Sequence, residues 1–258
     1  MGIGSASPTG TMAISNTELA LITATYDASK AITFESTKGG IEVFGFTQSS
    51  VMTNAQTAAM VIKTIAAKDV TFSTAASIIG YLTVTSAGGI SLEKKVATVV
   101  GALSMTYSAG NLAVGADAEL DSAGAMVLTA GSTSYSLAGA DPLPIYAAGD
   151  LTVSSKVAIS GSSGTLEFRS TGTVTLSQTV TSGGAITITG DHGCDGTAGG
   201  VVISNTITST DVTITGGSLV LTGTLSIGAG NNLFSARNDV ALPMQCPFTR
   251  NENSSEAE

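Results

Sequence analysis

The stretch from Gly190 to Gly200, GDHGCDGTAGG, gathers the only histidine of the chain, His192, with one of its two cysteines, Cys194, and two carboxylates, Asp191 and Asp195. Imidazole, thiolate and carboxylate are the donor types that hold zinc and related ions, so Asp191, His192, Cys194 and Asp195 are the candidate metal ligands. Their spacing matches no zinc pattern, the Gly-Gly-x-Gly-x-Asp calcium repeat is absent, and the surrounding glycines preorganise little. A plain surface loop is the stronger reading, with no metal and no other cofactor expected. Nucleophilic catalysis would have to use His192 as its base, and the chain has no Gly-x-Ser-x-Gly elbow to present a nucleophile. Cys194 and Cys246 could form a disulfide or remain thiols, and one pair decides neither.

Carboxylates with Arg or Lys gathered on one face would instead point to a polysaccharide lyase or hydrolase. Here Glu93, Asp117, Glu119, Asp121, Asp150, Glu167 and Arg169 are dispersed along the chain. Asp117, Glu119 and Asp121 do alternate on one strand face, which reads as a solvated acidic edge. The pairs Thr173 and Thr175, Thr187 and Thr189, Thr206 and Thr208, and Thr213 and Thr215 raise ice binding, but threonine is simply a favoured strand residue. No catalytic residues are assigned, and the chain reads as a non-enzyme.

Composition narrows the class. The 258 residues include 31 Gly and no Trp, only 11 % are charged and 43 % are apolar, with a mean hydropathy of +0.36. Disordered chains are poorer in apolar residues and richer in charge, so this one folds. So few ions imply a surface coated largely by hydroxyls. A net charge of -9 and ten scattered Lys and Arg disfavour nucleic acid. The opening MGIGSASPTGTMAISNTE lacks a basic region followed by an apolar core, so it is no secretory signal as it stands, and Ala6 breaks the myristoylation pattern. The most apolar run, Ala58 to Ala67, is interrupted by Lys63 and is too short for a membrane span, so a soluble chain is expected.

The elements that would position these residues are short strands. From Gly149 onward, units such as DLTVS (150–154), TVTLS (173–177), AITITG (185–190) and DVTITG (211–216) alternate apolar and small polar residues, the period of a strand buried on one face. Their first inward residues fall into threes. Leu151 aligns with Val174, Val201 and Leu219, and Val157 aligns with Val180, Ile207 and Leu225. The result is a three-sided coil of roughly 18 to 27 residues per turn. The longest turn contains GDHGCDGTAGG, which therefore reads as an insertion at a corner between Ile188 and Val201.

Before residue 149 the units GGIEVFGF (39–46), KDVTFSTA (68–75), GGISLEK (88–94), GNLAVGADAEL (110–120) and GAMVLTA (124–130) repeat the pattern more loosely, about 20 residues apart. The alternative for Asn54 to Lys68 is a short helix, and the prolines of ADPLPIY (140–146) point to an irregular turn. The fold expected is all-β: a right-handed parallel β-helix, or three-sided β-solenoid, with irregular terminal segments. Residues 36–230 would form the solenoid, 1–35 a cap or contact segment, and 231–258 an extension. Eleven or twelve turns at strand spacing would make a rod of roughly 55 Å.

The repeats AAGDLTVSS, GGAITITG and TDVTITGGSLVLTG, with their serine, threonine and glycine spacing, resemble the β-helical shafts of filamentous-haemagglutinin-like adhesins over residues 147–230. The chain departs from that family in lacking a signal peptide and the Asn-Pro motifs of its secretion domain. The resemblance implies a shaft at the cell surface or outside the cell. A rigid rod is the leading expectation, acting as a filament subunit through self-association of its ends or terminal segments. An adhesin that binds glycan or protein through one solenoid face is the alternative, and a polysaccharide-active enzyme the third.

Overall fold

In the computed structural model, residues 1–4, 13–15, 18, 31–46, 59–116, 118–132, 136–139, 143–159, 165–192, 199–228 and 232–236 are described, and the alternating units close into a three-sided parallel coil. Each coil contributes one strand to each of three sheets. Leu151–Val153 lies in a nine-stranded first sheet, Lys156–Ile159 in an eleven-stranded second sheet, and Leu166–Ser170 in an eight-stranded third sheet. From Ala59 onward a strand meets its neighbours only after a full circuit, so the pairings are parallel, as crossover connections require.

The register follows the inward residues. Leu151 pairs with Val174, Val174 with Val201 and Val201 with Leu219. On the next side Val157, Val180, Ile207 and Leu225 line up in the same way. Both columns are those the sequence predicts. In the N-terminal part Ile41, Val70, Ile90 and Leu112 stack in the second sheet, so four of the five looser units occupy one column. The fifth, GAMVLTA, lies in the first sheet, where Met126 pairs with Leu103 and Leu151. These columns form one continuous apolar core, with Leu219 and Leu225 of the last described coil only partly buried against it. Burying each such side chain stabilises the fold by about 1.5 to 3 kcal/mol.

One open alternative is decided and one local expectation is corrected. Within the stretch expected as a possible helix, Ala59–Thr64 is a strand with Met60, Ile62 and Thr64 turned inward. Neighbours on both sides, Ala31–Ser36 and Tyr81–Ser86, supply its backbone hydrogen bonds, and that ladder outweighs any local helical preference. Residues 54–58 lie outside the described part. In ADPLPIY residues 140–142 lie outside the described part, and Leu143–Ala147 is a regular strand rather than an irregular loop or turn. Pro144 points outward, and pairing with the preceding strand begins at Ile145, so its missing N–H removes no ladder bond.

The hydroxyls are not confined to the surface. Ser86, Thr98, Ser122, Ser170, Ser182 and Ser209 are buried at strand ends. Ser86 Oγ donates to the Gly89 carbonyl at 2.7 Å, Ser122 Oγ to the Ala125 carbonyl at 3.1 Å, and Thr98 to Gly101 in the same three-residue pattern. These hydroxyls add a bond at corner carbonyls, of which Gly89 and Ala125 also accept the N–H groups of Val70 and Leu103 on neighbouring strands. Short Ser/Thr-x-x-Gly/Ala runs are thus corner motifs of this coil.

Three-sided coils run from Ala59 to Ala236. The third sheet has eight strands and so seven inter-strand steps, a length of about 34 Å. This is shorter than the length expected from eleven or twelve turns, because residues before Ala59 add described strands only to the first and second sheets. Parallel pairing also runs past both expected boundaries. Gly2–Gly4 pairs with Ala13–Ser15 and with Ile41–Val43, Ala31–Ser36 with Ala59–Thr64, and Asn232–Ala236 with Asp211–Gly216.

Candidate functional site

The insertion sits where the sequence puts it. Before it Ile188 pairs with Phe168 and Ile214, and after it Val201 pairs with Val174 and Leu219, so the excursion leaves the coil undisturbed. At its neck the Gly190 and Gly200 backbones approach so closely that a Cβ on Gly190 would stand 2.2 Å from the Gly200 carbonyl oxygen, which only glycine permits. Asp191 follows with φ of 56°, a left-handed conformation that aspartate tolerates better than most side chains. Its N–H donates to the Gly172 carbonyl at 2.9 Å, and the His192 N–H donates to the Ser170 carbonyl at 2.8 Å. Backbone bonds to the coil below thus hold Asp191 and His192, both half-buried. Cys194, Asp195 and Cys246 lie outside the described residues, and with them the proposed disulfide and half of the metal set. Among the described residues no group of three or more His, Cys, Asp or Glu could hold a metal ion.

The carboxylates that look dispersed in sequence are partly gathered by the coil. Leu120, Ile145 and Phe168 are consecutive inward residues of the third sheet, so the residues flanking each of them face out on adjacent rungs. Glu119, Asp121, Pro144, Tyr146, Glu167 and Arg169 therefore share one outer face, joined from the preceding rung by Lys95. Lys95 Nζ donates to Glu119 Oε1 at 2.9 Å and to Asp121 Oδ2 at 3.2 Å. One rung further on, the Tyr146 hydroxyl donates to Glu167 Oε2 at 2.8 Å, and Arg169 bonds the other oxygen of the same carboxylate. The Arg169 guanidinium also lies over the Tyr146 ring, 4.9 Å from its centre. Asp117 is outside the described residues. Glu93 is exposed just after the second-sheet strand Ile90–Leu92, and Asp150 sits at a corner accepting the Thr173 N–H at 2.8 Å.

The electrostatics follow from this packing. Burial raises the Tyr146 phenol to about 12, helped by its hydrogen bond to Glu167. Burial alone would lower the Lys95 ammonium, but its bonds to Glu119 and Asp121 outweigh this and push it up. Burial and the nearby Arg169 charge hold the His192 imidazole below its ordinary value, with Glu167 opposing them. At neutral pH the face therefore carries a neutral imidazole, a protonated phenol and paired ions. Glu167 engages both oxygens within the cluster, and Arg169 covers the one aromatic ring. The arrangement ties successive rungs together.

Sequence reasoning singled out Glu119, Asp121, Glu167 and Arg169 but missed Lys95 and Tyr146. Extending the column register from the C-terminal units back to residue 95 would have found them, because Lys95 precedes inward Val96 just as Glu119 precedes inward Leu120.

The fold defines the chain as a parallel β-solenoid. Compared with family models, with curated proteins and with solved structures, it gives no match. The likeness to filamentous-haemagglutinin-like shafts accordingly stands at the level of the fold.

Proposed function

We propose that this chain is a structural rod, the subunit of an extracellular or cell-surface filament that assembles through its ends. The observation that carries the reading is the core itself: inward apolar residues stack from coil to coil along three sheets, the construction expected of a stiff rod. Its ordered side-chain chemistry is spent on tying rungs and corners together, as in the Lys95 and Glu167 pairs and the buried serines. Electron microscopy of the purified protein tests this. Filaments or end-to-end strings are expected, and monodisperse single rods at high concentration would remove the filament while leaving the rod.

A second reading, an adhesin acting through one solenoid face, draws on the third sheet, whose outer face joins Tyr146, Arg169, Lys95 and three carboxylates. Glycan-array binding abolished by Tyr146→Ala and unaffected by Thr213→Ala would favour it.

A further inference from the structure

The first sheet carries on its outside two columns of side chains that neither the core nor the ion pairs employ. One runs in direct register from Thr83 through Ser104, Val127, Thr152 and Thr175 to Val202 and Val220. The other begins at Thr85, Thr106 and Thr129. It continues in Ser154, Ser177 and Ser204, whose N–H groups donate to the Leu128, Val153 and Leu176 carbonyls of the preceding rung at 2.8, 3.0 and 3.0 Å, and it ends at Thr222. Every member of both columns is a hydroxyl residue or a valine, and none is charged, in a chain of net charge -9. Lys63, paired with Glu35 at 3.0 Å, closes the array at its first rung.

The irregular corners do not reach this face. Thr175 pairs directly with Val202 across the GDHGCDGTAGG excursion. The threonine pairs that stand out in the sequence are divided by the fold: Thr187, Thr189, Thr213 and Thr215 face out from the third sheet and Thr208 from the second, while Thr175 lies in this array. The lattice is therefore assembled by the coil from residues one circuit apart, and no Thr-x-Thr pair marks most of it.

Its dimensions say what it fits. Rungs stand about 4.8 Å apart and the two columns about 6.6 Å apart, so the seven rungs make an array about 29 Å long that repeats in both directions. Both spacings come within about a tenth of repeats in the oxygen lattice of ice. Threonine and valine are stiff at χ1, so their methyls and hydroxyls hold position. The hydroxyls can fix waters by hydrogen bonding, and the methyls of side chains such as Val127 and Val220, both exposed, order the waters between them. Among the described residues Thr222 alone of these hydroxyls bonds within the chain, to the Ile203 carbonyl at 3.4 Å, which leaves the others to water. A protein partner fits less well, because protein interfaces are enriched in aromatic side chains and arginine and depleted in serine.

We propose that the outer face of the first sheet binds ice, holding a layer of water in crystal register and adsorbing the rod to a growing crystal. This is a property of the single rod and does not depend on assembly through the ends.

The test is thermal hysteresis of the full purified chain, together with its partition into slowly growing ice. Freezing held below the melting point and uptake into the ice are expected. Thr152→Tyr, which sets a ring in the middle of one column, and Thr175→Tyr on the next rung should each abolish both effects while thermal melts show a folded rod. Thr187→Tyr, on the outer face of the third sheet, should leave both effects unchanged. Exclusion of the chain from ice without hysteresis overturns the proposal. So does hysteresis that survives in a folded first-sheet variant, or that Thr187→Tyr removes as completely.

Discussion

The two halves of the third sheet are built on the same interior and finished differently outside. Leu120, Ile145 and Phe168 in one half and Ile188 and Ile214 in the other form a single buried column. Outside, the first half carries Glu119, Asp121, Tyr146, Glu167 and Arg169, whereas the second carries Thr187, Thr189, Thr213 and Thr215 in direct register. The charged rungs are cross-linked by ion pairs and a hydroxyl bond. The threonine rungs need none, since β-branched side chains already suit a pleated surface. In a period-two coil the inward residues specify the backbone and leave the outward ones nearly free, so the outside is where a function beyond rigidity would be written.

The strongest way to break this contrast is to attack the shared interior. Phe168→Ala removes a fully buried ring beneath the charged half and should cost about 3 to 5 kcal/mol in urea unfolding. A loss equal to that of an exterior substitution would show that the column is not the source of stability.

Alkaline pH acts next, through groups on both sides of the sheet wall. Burial holds the interior Tyr107 phenol and the exterior Tyr146 phenol up at about 12, against an ordinary 10.0. The folded chain then keeps protons that the unfolded chain has released, so their stabilisation is full below pH 10 and falls as the pH climbs toward 12. Lys95, also held up, pulls in the same direction. Thermal melts across this window should show a falling Tm, and a flat profile would contradict the burial of both phenols.

Exterior changes should then separate the halves. Glu167→Gln breaks the bond set joining Tyr146 and Arg169 and should cost at most about 1 kcal/mol. It should also lower the Tyr146 phenol, which the carboxylate helps to hold up, and ultraviolet titration reads that directly. Thr213→Ala, on the hydroxyl half, should change stability by no more than about 0.5 kcal/mol. If Thr213→Ala proves as costly as Glu167→Gln, the ion network adds nothing that threonine does not.

Much of the coil could be read from alternation alone, because an inward residue every second position, with the strand units grouped in threes, leaves one consistent stacking. That logic aligned Leu151 with Val174 and Val201, and it placed GDHGCDGTAGG at a corner between Ile188 and Val201. It was weaker where other residues interrupt the pattern. Ala59–Thr64 has a strand's alternation but sits in a run that could also be helical, and Pro144 looks like a break until its position ahead of the first residue paired with the preceding strand is known.

The sequence by itself determined the three-sided parallel coil, its inward columns and the site of the insertion, since all three follow from the periodicity of apolar residues. Only the tertiary structure decided which charges meet. Lys95 and Glu119 are 24 positions apart, and Tyr146 and Glu167 are 21 apart, yet each pair is within hydrogen-bond distance. One circuit of the coil returns the chain to a height one strand spacing above where it began, which turns separation along the sequence into contact across the sheet.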